Sequence, residues 1–84
     1  MGDLRKLKDL LLKGAILMAQ QHARGEVPTP AINTSTIARD SEWTQSEVDV
    51  ALEELVAEHV LKPWVDQAEH EFELTPSARA AHGL

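Results

Sequence analysis

Four histidines, fourteen carboxylates and no cysteine are the side chains of this sequence best suited to acid–base, nucleophilic or metal chemistry. His22, His59, His70 and His82 stand at none of the spacings, such as i, i+4 on one helix, that bring two imidazoles to one metal ion. The absence of cysteine removes thiolate metal sites, a cysteine nucleophile and disulfide staples, and it suits a reducing compartment. No glycine-rich phosphate loop and no nucleophile elbow occurs. A chain of 84 residues also has little room for an enclosed pocket. We therefore expect no catalytic residue, no metal ligand, no cofactor and no small-molecule substrate, and read the chain as a non-enzyme that works by binding macromolecules.

The net charge of -6 conceals an asymmetry. Up to Arg24 the basic residues Arg5, Lys6, Lys8, Lys13 and Arg24 face only Asp3 and Asp9. The other acids all lie beyond that point, against Arg39, Lys62 and Arg79 alone. Most of the chain should repel a polyanion, and any basic patch sits at the front.

The length corresponds to one domain, residues 1–84. The apolar stretch from Leu10 to Leu12 is cut by Lys13 before Ala15 to Ala19, far short of the roughly 20 residues that a membrane span needs. Gly2 is followed by Lys6 where a myristoylation signal has Ser or Thr. With no export signal in view, a cytoplasmic location is the expectation, and the Asn33-Thr34-Ser35 match to a glycosylation acceptor is read as chance.

Helices are set by caps and periodicity. Asp3 can cap a first helix over residues 3–24, in which Leu4, Leu7, Leu11, Ala15 and Met18 recur at spacings of three and four. Gly25 suits its stop, and Pro28 and Pro30 forbid continuation, leaving a connection with a short extended piece at Ala31 and Ile32. Asn33 or Thr34 opens a second helix over 34–40, followed by a polar turn. Thr44-Gln45-Ser46-Glu47 reads as a capping box for a third helix over 45–59, with Val48, Ala51, Leu52, Leu55 and His59 on one face.

Beyond it the period becomes two. Val60 to Val65 and His70 to Leu74 read as the strands of a hairpin over 60–74, with its turn at Asp66 to Ala68. His70, Phe72 and Leu74 are expected on the packed face and Glu69, Glu71 and Glu73 on the wet one. Pro63 lacks an amide, so its strand should be an edge or be bulged. Thr75, with Pro76 after it, caps a last helix over 76–82.

The residues Ile37-Ala38-Arg39, Trp43-Thr44-Gln45-Ser46-Glu47-Val48, Ala51-Leu52-Glu53-Glu54-Leu55, Val60-Leu61 and Leu74-Thr75-Pro76, in this order of elements, resemble the winged helix-turn-helix domain, particularly regulators of the MarR-like kind. The resemblance spans about Asp3 to His82. It implies an α+β fold: a small winged helix-turn-helix with a three-helix core, a two-stranded β-hairpin wing and a short C-terminal helix. Ala38 matches the small residue that lets the third helix approach the second, and Leu74-Thr75 matches the pair that closes the wing. The chain departs from the family after the third helix, where many members carry Gly and His59 stands here.

By the same resemblance the third helix would enter a DNA major groove and present Gln45, Ser46, Asp49, Val50 and Glu53 to bases, with the wing on the backbone. Charge points elsewhere. No Lys or Arg occurs from Asp40 through Leu61, where seven acids do, and DNA affinity draws on cations that displace condensed counterions. Only Arg5, Lys6, Lys8, Arg39 and Lys62 could contact phosphates. The preferred reading is a module of a regulator of transcription or another DNA transaction that meets a protein partner, basic in character, through its acidic third helix and wing. Gln45, Ser46, Asp49, Glu53, Glu54, Lys62 and Trp64 are the candidate contacts. Direct binding of duplex DNA is the alternative, and a plain solvated acidic face accounts for the same charges without either.

Two aromatic positions differ. Trp64 falls on the Lys62 face of its strand, where it is either an exposed anchor or, turned by a bulge at Pro63, part of the core. Trp43 is expected to staple the helix 2–helix 3 turn to the core. The broad leucine stripe of the first helix suggests a homodimer through it, with Leu4, Leu7, Leu11 and Met18 at the contact.

Overall fold

A computed structural model describes residues 3–65 and 70–84. The element order is α1 (Leu4–Ala23), β1 (Ile32–Asn33), α2 (Thr34–Asp40), α3 (Gln45–Ala57), β2 (Leu61–Pro63), β3 (Glu71–Leu74) and α4 (Pro76–Ala81). The expected hairpin turn at Asp66 to Ala68 lies outside the described residues, as does Gly2.

Each helix starts on the side chain that local chemistry favours. The Asp3 carboxylate accepts from the Arg5 amide at 2.9 Å, and Asn33 accepts from the Thr36 amide at 3.1 Å. At α3 the capping box is complete: the Glu47 amide donates to the Thr44 hydroxyl at 3.1 Å and the Thr44 amide to the Glu47 carboxylate at 3.0 Å. The Thr75 hydroxyl accepts from the Ala78 amide at 3.1 Å, with Pro76 in the first turn of α4.

Three helices end in one way. After α1, Glu26 N–H bonds Gln21 C=O at 2.8 Å and Gly25 N–H bonds His22 C=O at 3.0 Å. After α3, Val60 N–H bonds Leu55 C=O at 2.9 Å and His59 N–H bonds Val56 C=O at 3.0 Å. After α4, Leu84 and Gly83 repeat the pair on Arg79 and Ala80. This geometry needs one residue in the left-handed region. Gly25 and Gly83 supply it at φ 75° and 72°, and His59 adopts it at 62°. His59 is thus exposed at a helix stop rather than on the packed face of the third helix, and α3 ends earlier than residue 59.

The strands form a three-stranded antiparallel sheet in the order β1-β3-β2. The sheet thus has three strands where a two-stranded hairpin was expected: Ile32 pairs with Phe72 and Asn33 with Glu71. The Thr34 amide extends this seam by donating to His70 C=O at 2.7 Å, and the fully buried Thr34 hydroxyl donates to the same oxygen at 3.2 Å. Pro63 lies on β2, an edge strand, opposite Phe72, where its missing amide is tolerated. Of the three residues expected inward, Phe72 and Leu74 are buried but His70 is exposed, because the packed face begins at Phe72.

One core joins these layers. Leu7, Leu11, Ala15 and Ala19 of α1 meet Val48, Ala51, Leu52 and Leu55 of α3, and Ile32, Leu61, Phe72, Leu74 and Ala78 close it from the sheet and α4. Two of the residues expected at a dimer contact lie inside this core. Leu7 and Leu11 are fully buried within their own chain, and Leu4 and Met18 pack partly against the same core. Apolar side chains at 100° per residue cannot all face one way; those left outside on α1 are Leu10 and Leu17. Described in full, the architecture is a small α+β fold, and among the described residues no helix is long and apolar enough to cross a membrane.

Candidate functional site

The α2–α3 connection, residues 41–44, turns the chain so that one side of α3 packs on α1 and the sheet while the other faces water. The turn is held by the Trp43 amide donating to the Ser41 hydroxyl at 3.2 Å, and the Trp43 ring packs partly against the core. Burial of Val48, Ala51, Leu52 and Leu55 fixes the outward row as Ser46, Asp49, Val50, Glu53 and Ala57, all exposed. Gln45, half-buried at the start of α3, donates from its amide to Asp49 at 2.9 Å.

Each side of this row has an open groove. On one, Leu4 and Leu7 of α1 and Trp43, Glu47 and Val50 line a space of about 300 Å³. On the other, Leu52, Val56 and Ala57 meet Phe72 around a space of about 300 Å³. Neither groove was anticipated from sequence, and the second joins residues far apart in the chain. Its signal is the position of Val56 on the flank of the outward row, beside a β3 residue that only the tertiary fold brings there.

Charge on α3 is divided by what faces it. Glu54 and Glu58 turn toward α1, where Lys8 lies 2.7 Å from the Glu58 carboxylate and 3.7 Å from Glu54. The hydrogen bond to Glu58, aided by the attraction of both carboxylates and opposed by partial burial, holds the Lys8 ammonium above its ordinary value of 10.5. Asp49 is held by Gln45, and Glu53 has no ionic or hydrogen-bonded partner among the described residues. The outward row is therefore acidic and apolar, with no cation on α3.

The candidate phosphate-contacting residues do not form one free set. Lys8 is engaged by α3 acids, Arg39 pairs with Asp40 at 3.1 Å, and Lys62 of β2 lies 3.9 Å from Glu73. Arg5 and Lys6 are exposed without such a partner among the described residues. Arg5 joins Lys8 and Glu54 at a polar recess next to Leu4, so the structure brings part of the front-helix charge to the flank of α3. Trp64 is half-buried outside the core cluster, its amide donating to Glu71 C=O at 2.9 Å.

Among the described residues no three histidines or acids stand close enough together to hold a metal ion. The assembled surface can offer carboxylate acceptors, apolar contact area and a few flanking cations, which are the means of macromolecular recognition. Compared with protein-family models, curated proteins and solved structures, the chain matches none.

Proposed function

We propose that the chain is a winged helix-turn-helix module of a regulator of transcription or another DNA transaction, and that it is non-catalytic and acts by binding a protein partner of basic character. In this reading α2 and α3 form the helix-turn-helix, β2 and β3 the wing, and β1 a short third strand. The observation that carries it is the outward row of α3. Val50 is 49% exposed between Asp49 and Glu53, with apolar grooves on both flanks and no cation on the helix. A protein interface uses such a mixture, apolar side chains filling grooves while carboxylates select cations at the rim. Lys62 and Trp64 would extend the contact onto the wing.

Direct binding of duplex DNA is the second reading, favoured by Ser46 and Asp49 standing exposed in the first turns of α3 after a short turn, and by Arg5 and Lys6, which have no ionic partner among the described residues. Against it, Lys8, Arg39 and Lys62 all have carboxylates within 4 Å. Phosphate binding would have to compete with those carboxylates before any counterion release is gained.

The experiment is capture of a basic partner from lysate by the immobilised chain, repeated with Val50→Asp and Glu53→Lys. Both positions are exposed, so the fold should survive, as circular dichroism would verify. Loss of the captured protein with both variants is expected, and unchanged capture would remove α3 from the account.

A further inference from the structure

A second surface of the molecule has the opposite character to α3. The outward side of α1 carries Lys6, Leu10, Lys13 and Leu17, with Leu10 46% and Leu17 49% exposed. The outward row of α3 carries Ser46, Val50, Glu53 and Ala57 at the same offsets, i, i+4, i+7 and i+11. In each row two apolar residues lie seven apart, about 10.5 Å along a helix, with one charge between them. That charge is Lys13 on α1 and Glu53 on α3.

We infer that this chain self-associates by laying the outer row of α1 of one copy along the outer row of α3 of another. With the helices antiparallel, Leu10 meets Ala57, Leu17 meets Val50, and Lys13 lies beside Glu53. Both charges are accessible: among the described residues Lys13 is held only by an exposed pair with Asp9 at 2.9 Å, and Glu53 has no partner. A pairing of α1 with itself lacks this match, since antiparallel α1 rows bring Lys13 against Lys13. The contact is heterologous, so each added copy leaves one α1 and one α3 free and the assembly grows with concentration unless it closes into a ring. Two exposed rows bury little area, which makes the association weak, and its charged component falls with salt. Its regulatory consequence rests on the reading of α3 given above, while the association itself does not: a copy whose α3 is covered by α1 cannot use that row for a partner.

The test is sedimentation equilibrium of the full chain at low and high salt, for the wild type, Lys13→Glu, Glu53→Lys and an equimolar mixture of the two variants. The expected result is a mass that rises above 9.3 kDa with concentration at low salt and returns toward it at high salt. Each variant alone should weaken association by roughly threefold to tenfold, the range expected for reversing one exposed ion pair, and the mixture should regain it. A wild type that stays at monomer mass up to about millimolar concentration, where interactions of only ~4 kcal/mol register, would overturn the proposal. So would association that both variants leave unchanged, or a mixture that fails to recover. None of these results depends on an external partner, so failure here and failure of partner capture are read separately.

Discussion

The ammonium of Lys8 and the carboxylate of Glu58, fifty residues apart in sequence, meet at 2.7 Å across the α1–α3 interface. The pair joins the basic front of the chain to its acidic third helix, and it sets against each other a cation that DNA would need and an acid that a basic partner would seek. What remains in the outward row of α3 is Ser46, Asp49, Val50, Glu53 and Ala57.

Because Lys8 is held above 10.5 in the fold, its contribution to stability is complete below that pH and is lost as pH rises through the raised value. The urea midpoint of the wild type should exceed that of Lys8→Met at neutral pH. The difference should narrow as the lysine deprotonates on the alkaline side of 10.5, and a difference independent of pH would show that the ion pair is not its source.

His59 holds a left-handed conformation at φ 62° where Gly25 and Gly83 serve the other two helix stops. A side chain there costs about 1 kcal/mol. His59→Gly should therefore stabilise the fold by about 1 kcal/mol less the added freedom of the unfolded chain, raising the melting temperature by a few degrees, about 4–8 °C per kcal/mol. His59→Ala, which keeps the Cβ, should change little. Differential scanning calorimetry of the two variants separates backbone strain from any role of the imidazole.

The Thr75 hydroxyl donates to His59 C=O and accepts from the Ala78 amide, so one group links the stop of α3 to the start of α4. Thr75→Val should cost about 1–2 kcal/mol, as loss of an N-cap does, and Thr75→Ser should retain most of the stability. A loss confined to Thr75→Ser in chemical denaturation would mean that the methyl group, and not the hydroxyl, carries the effect.

The leucines of α1 divide into two kinds. Leu11→Ala, at a fully buried position, should cost about 2–5 kcal/mol, much of what a domain this small possesses. Leu10→Ala and Leu17→Ala should fall within about 0.5 kcal/mol of wild type, as exposed substitutions do. A large loss at Leu10 under dilute conditions would place that side chain in the core.

These contrasts follow the line between local and non-local information. Asp3, Asn33, Thr44 and Thr75 were legible as caps because each bonds an amide two or three residues away. The pattern of alternation gave the inward Phe72 and Leu74 but overshot at His70, which is exposed because the packed face of the sheet begins at Phe72. The pairing of Ile32–Asn33 with β3 depends on contact across some forty residues, which no local pattern encodes. The α1 stripe contained more leucines than one face can hold; the expected dimer contact drew on Leu4, Leu7, Leu11 and Met18, whereas packing in the core with Val48 and Leu55 turns Leu7 and Leu11 inward and leaves Leu10 and Leu17 outside. For the candidate site, the row Ser46, Asp49 and Glu53 was readable from helical spacing. The engagement of Glu54 by Lys8 and the groove between Val56 and Phe72 required the tertiary fold.

In the proposed function the outward surface of α3 meets a protein and not phosphodiester strands. This is tested most directly by fluorescence anisotropy of a labelled mixed-sequence duplex titrated with the chain at low ionic strength. No binding is expected up to about 100 µM, the weak end of ordinary non-specific DNA affinity. Saturable binding that weakens steeply with added salt and is lost on reversing Arg5 and Lys6 would contradict it.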